Sequence, residues 1–134
     1  MTRSALAAVH ALIDAVESRN LDAVDACFTA DATYANVPYP PAVGRGAIRR
    51  MFEVIVRRSD RIEWEVLTEA SAGDTAFTER VDRFWIGGQL YDVECSGVYR
   101  IDPDTGLIKQ VRDYVDLGVW RARLGDVLET RSAS

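Results

Sequence analysis

The chain is predicted to be α+β, a curved sheet with N-terminal helices packed across it. Two observations carry this. Apolar residues recur at three- and four-residue spacing up to about residue 56, and after residue 60 the period drops to two. Glycine- and aspartate-rich breaks then separate four strand-like runs, as consecutive hairpins require. Helices first and a meander afterwards is the α+β order.

Leu6, Val9, Ile13 and Val16 mark one face of a helix over about 4–18. Asn20 caps a second, short helix with Leu21, Val24 and Phe28 on its apolar side. Thr33 to Asn36 reads as a short strand, ended by Pro38, Pro40 and Pro41. Ile48, Phe52 and Ile55 define a third helix from Gly44 to about Val56. The later strands cover about 61–71, 75–86, 89–101 and 107–117, and the polar tail after Leu124 is expected to fray. A curled sheet of these strands, with helices over its open face, would enclose a pocket. The whole of 1–134 is expected to form one domain.

Composition narrows the function. The net charge is −5 with pI about 4.9, and no basic run exists, which disfavours nucleic acid and anionic membrane as partners. Zinc sites need clusters of Cys, His or carboxylate ligands, and His10 is the only histidine, so no metal or other cofactor is expected. Cys27 and Cys95 read as buried small hydrophobes. The apolar stretch near the N-terminus is broken by His10, Asp14 and Glu17, so neither a signal peptide nor a membrane span is read, and a cytoplasmic protein is expected.

Alternation sorts each strand into two faces. Ala76, Thr78, Arg80, Asp82 and Phe84 share one, whereas Phe77, Glu79, Val81, Arg83 and Trp85 share the other. Neither is cleanly apolar, so the inward face must carry charge. In the last run Leu107, Lys109, Val111, Asp113 and Val115 share a face, which sets Asp113 between two valines. An inward aspartate needs a partner. Arg80 can serve, since its planar fork bonds two carboxylates at once. These residues fit a structural ion pair or an acid/base pair, because neighbouring aspartates do not readily both ionise. Tyr34 and Asn36 share a strand face and supply groups that can hold a water, or else pack as a core tyrosine and a turn asparagine.

Tyr34-Ala35-Asn36-Val37-Pro38-Tyr39-Pro40-Pro41 resembles the Tyr-x-Asn-x-Pro-x-Pro-Pro stretch of limonene-1,2-epoxide hydrolases. Thr78-Glu79-Arg80-Val81-Asp82 and Arg112-Asp113-Tyr114-Val115-Asp116 resemble that family's Thr-Glu-Arg-Val-Asp and Arg-Asp-Tyr-x-Asp strands, with Gly97-Val98-Tyr99 similar to a Gly-Val-aromatic stretch between them. The resemblance spans about residues 4–124. It implies the curved-sheet cone of the ketosteroid-isomerase and SnoaL-like superfamily. It also implies a cofactor-independent, one-step addition of water to an apolar epoxide, giving a vicinal diol. In that reading Asp113 is the general base, Asp82 the general acid, Arg80 the bridge between them, and Tyr34 and Asn36 position the water. Trp64, Phe84, Val93 and Cys95 are expected to form the apolar wall by facing and loose alignment. Tyr39, Val93 and Cys95 depart in bulk, which leaves the choice of epoxide open.

An isomerase or cyclase of the same superfamily, or a non-catalytic ligand-binding module, is the alternative. A covalent route through an aspartate ester is disfavoured, because it needs a histidine base and His10 lies in the first helix. A homodimer is expected through the outer sheet face bearing Phe77, Val81 and Trp85.

Overall fold

The computed structural model describes residues 4–122. The tail after Leu124 lies outside the described residues. Helix α1 (Ala5–Glu17) starts where Ser4 accepts a hydrogen bond from the amide of Ala7, 3.1 Å away. Its buried stripe of Val9, Leu12, Ile13 and Val16 faces the sheet. Asn20 caps α2 (Leu21–Asp25) in the same way through Ala23. Helix α3 (Arg45–Arg58) buries Ile48, Phe52 and Val56.

The sheet has six strands in the order β2-β1-β6-β5-β4-β3. Strands β3 (Arg61–Ala72), β4 (Thr75–Ile86), β5 (Gln89–Ile101) and β6 (Ile108–Val115) form the antiparallel meander that the turn residues announce. Strand β1 (Phe28–Val37) pairs parallel with β6 and antiparallel with the two-residue β2 (Ala42–Val43), so the sheet is mixed. Its six strands leave two edges, β2 and β3. The inner face meets the helices in one core running from Val9 and Leu12 through Phe28 and Phe52 to Tyr99 and Val111.

Three expectations need correction. Strand β1 begins at Phe28, not Thr33, because Phe28 itself pairs with the distant Ile108. The last strand ends at Val115, and a short helix α4 (Leu117–Trp120) follows. Lys109 is exposed although alternation places it beside Val111. The register shifts between Arg100 and Ile101, so Gln110 faces Arg100 while Ile108 faces Ile101. That irregularity resets the parity. It buries Ile108 in place of Lys109 and leaves Val111 and Asp113 inward. Cys27 and Cys95 are buried, as expected, and are not joined in a disulfide. Among the described residues no helix is long and apolar enough to cross a membrane.

Candidate active site

Strand alternation delivers the site. Arg80 and Asp82 lie two residues apart on β4, hence on one face, and both are buried. Asp113 on β6 is also buried, flanked across the sheet by Asn36 on β1 and Gly97 on β5.

Arg80 joins the carboxylates. Its Nε and Nη2 each donate to Asp82 at 2.9 Å, one to each oxygen. Its Nη1 and Nη2 donate to the two oxygens of Asp113 at 3.3 and 3.2 Å. The guanidinium is therefore short to Asp82 and long to Asp113. Nη1 also donates to the phenol oxygen of Tyr99, and Nη2 approaches Cys95 Sγ at 3.3 Å. Trp64 supports one face of the cation, with the guanidinium carbon 4.4 Å from the ring centroid. Tyr34 donates its hydroxyl to Asp113 Oδ2 at 2.6 Å. Its ring is held edge-on by Phe52, with centroids 5.3 Å apart.

Burial decides the electrostatics. It pushes the Asp82 carboxyl above its ordinary range, and the Arg80 charge only partly reverses that. Salt-bridge geometry alone would argue the opposite direction; here desolvation outweighs it. Burial opposes the Arg80 charge too, but Asp113 and Asp82 more than compensate and hold the guanidinium ionised. Tyr34 is held well above the usual phenol range, by burial first and then by the Asp113 charge, so it stays a donor. Burial likewise raises the Cys95 thiol, which makes it a poor nucleophile.

A cavity of about 140 Å³ opens onto these groups. Asp82, Asp113, Tyr34 and Asn36 form its polar end; Trp64 and Phe84 from the sheet and Phe52 and Ile55 from α3 are among its apolar lining. The structure thus brings Tyr34, Asn36, Arg80, Asp82 and Asp113 together, with Trp64 and Phe84 in the wall. Val93 and Cys95 are buried on the expected face but are not among the residues lining this cavity. They sit in β5 directly opposite Asp82 and Arg80, and Cys95 is engaged by the guanidinium. The α3 wall and the Tyr99–Thr78 pair behind Arg80 were missed. Alternation carries a signal for both members of that pair: Thr78 shares the face of Arg80 and Asp82 on β4, and Tyr99 shares that of Val93, Cys95 and Gly97 on β5.

Residues 9–111 match the SnoaL-like domain family. The chain belongs to that family. Within it, this SnoaL-like domain is 32% identical over 112 residues to the epoxide hydrolase EphG of Mycobacterium tuberculosis, covering 82% of this chain and 72% of that one. The solved structure of an M. tuberculosis LEH-like epoxide hydrolase superposes with a TM-score of 0.73 at 26% identity, over 97% of this chain and 96% of that chain. SalBIII, an epoxide hydrolase/cyclase-like enzyme of pyran ring formation in polyether salinomycin, superposes with a TM-score of 0.77 at 18% identity. That match spans 85% of this chain and 92% of that one, and shows shared fold.

Proposed function

We propose that this SnoaL-like domain is a cofactor-independent epoxide hydrolase acting on a small apolar epoxide. The observation that carries the reading is a pair of buried aspartates, bridged by one arginine, at the polar end of an apolar cavity. Asp113 takes a proton from a water that Tyr34 and Asn36 hold. The water oxygen attacks an epoxide carbon, the strained C–O bond breaks, and the leaving oxygen takes the proton of Asp82. The negative charge moves from Asp113 to Asp82, and Arg80 contacts both, so the cation compensates it before and after. The raised Asp82 carboxyl suits the acid role.

An internal hydroxyl in place of water would make the same residues a cyclase. The polar lining of the cavity favours water, because Tyr34 and Asn36 stand beside Asp113 where they can hold one. The homologous EphG and the LEH-like structure favour hydrolysis as well. A homodimer through the outer sheet face is part of this reading, supported by exposed Phe77 and Tyr114 there.

The test is single turnover in heavy-oxygen water, with protein in excess over a small epoxide and a strong chelator present. Direct attack puts label in the first diol formed. Unlabelled first-turnover diol, with label later on an aspartate, would overturn the one-step mechanism; activity restored only by an added metal would overturn cofactor independence.

A further inference from the structure

A second polar cluster lies behind Arg80, on the side away from Asp82. Tyr99 on β5 is fully buried. Its hydroxyl shares a 2.7 Å hydrogen bond with Thr78 and accepts one from Arg80 Nη1. Gly97 makes this approach possible. It faces Thr78 on β4 and Asp113 on β6. A Cβ there would lie 2.6 Å from the Tyr99 hydroxyl and 2.9 Å from Asp113 Oδ1, closer than real side chains pack. The missing side chain opens a slot between the two flanking strands, and the phenol fills it.

Every N–H of the guanidinium then has an acceptor: Nε on Asp82, the two of Nη2 shared among Asp82, Asp113 and Cys95, and the two of Nη1 on Asp113 and Tyr99. We propose that Tyr99 is a positioning residue whose buried hydroxyl, steadied by Thr78, holds one arm of Arg80 back from Asp113 and so sets how tightly the cation pairs with that carboxylate. The distances are unequal, 2.9 Å to Asp82 against 3.2 and 3.3 Å to Asp113, and the 3.3 Å contact is the one made by the nitrogen that Tyr99 holds. Without the hydroxyl, the freed nitrogen can close on Asp113 Oδ1, which it already contacts at 3.3 Å. A tighter ion pair favours the charged carboxylate and weakens it as a base. The other ionisable groups facing Asp113 are Tyr34 from β1, Asp82 and Arg80 from β4, and Cys95 from β5, whereas α3 contributes apolar side chains to the same cavity.

The inference rests on the reading of Asp113 as base, and its test is chosen to need no substrate. Carbon-13 carboxyl NMR, assigned with Asp113→Asn, follows the titration of Asp113 in wild type, Tyr99→Phe and Thr78→Val. The expected result is a midpoint in Tyr99→Phe lower by about 0.5–1 pH unit, with a smaller shift of the same sign in Thr78→Val. The acid limb of the pH–rate profile should move down with it, which a packing defect would not produce. An unchanged or raised Asp113 midpoint in folded Tyr99→Phe overturns the proposal. If Tyr99→Phe does not fold, Thr78→Val decides: a downward shift supports the role and an unchanged midpoint refutes it. A shifted midpoint in a protein whose wild type hydrolyses no epoxide would defeat the hydrolase reading and leave the positioning role standing.

Discussion

Strand β4 carries two arginines three residues apart, each between two carboxylates, on opposite faces of the sheet. Arg80 points inward to Asp82 and Asp113, and the three side chains are 0%, 8% and 5% exposed. Arg83 points outward to Glu63 and Glu65 at 3.2 and 3.0 Å, with side-chain exposures of 25%, 38% and 48%. The chemistry is nearly the same and the distances are similar. What differs is water. Outside, solvent screens the pair and it adds little. Inside, desolvation raises Asp82 and makes proton occupancy depend on the neighbours. Burial, not residue type, is what separates the two clusters electrostatically.

The comparison breaks hardest at the carboxylates. Asp113→Asn, and separately Asp82→Asn, should lower kcat by about 10²–10⁴-fold while circular dichroism stays that of the wild type. A folded Asp113→Asn protein with near-normal turnover would remove the base assignment. Next comes the buried cation. Arg80→Ala should destabilise by about 3–5 kcal/mol, since it strands two carboxylates without their partner; denaturant melts measure this.

A subtler difference lies in pH. The folded Asp82 carboxyl is raised above its unfolded value. Its contribution to stability is therefore present in full below the ordinary carboxylate pKa and is lost as pH rises through the raised one. Asp82→Asn should flatten that decline, so its melting temperature relative to wild type should climb across this window. A constant difference would show that Asp82 does not titrate as the geometry requires. The smallest effect belongs to the outer pair. Arg83→Ala should cost about 0–1 kcal/mol, less in high salt, with turnover unchanged. A large, salt-independent loss there would erase the contrast between the faces.

Much of the molecule was legible in sequence because its signals are local. Periods of 3.6 and 2 placed α1, α3 and the four meander strands, and Ser4, Asn20 and the glycine turns marked boundaries. Alternation on β4 set Arg80 and Asp82 on one inward face, and Asp113 between valines pointed to a buried charge. The motif resemblance gave these residues roles, which remain proposals, and the SnoaL-like family follows from residues 9–111.

Tertiary structure alone decided which inward residues meet. Parity along a strand says which face a side chain takes, not what stands opposite. Register does that, and it depends on partners far along the chain. Phe28 joins β1 only because Ile108 is there to pair with it. The shift at Arg100 and Ile101 sends Lys109 outward and brings Ile108 in. Val93 and Cys95 face inward as alternation requires, yet the guanidinium of Arg80 occupies the space beside Cys95 and the cavity takes its wall from α3 instead. The arm of Arg80 that makes the longest contact with Asp113 is also held by a tyrosine lying over a glycine, one strand away from either carboxylate, and no local pattern in the sequence encodes that meeting.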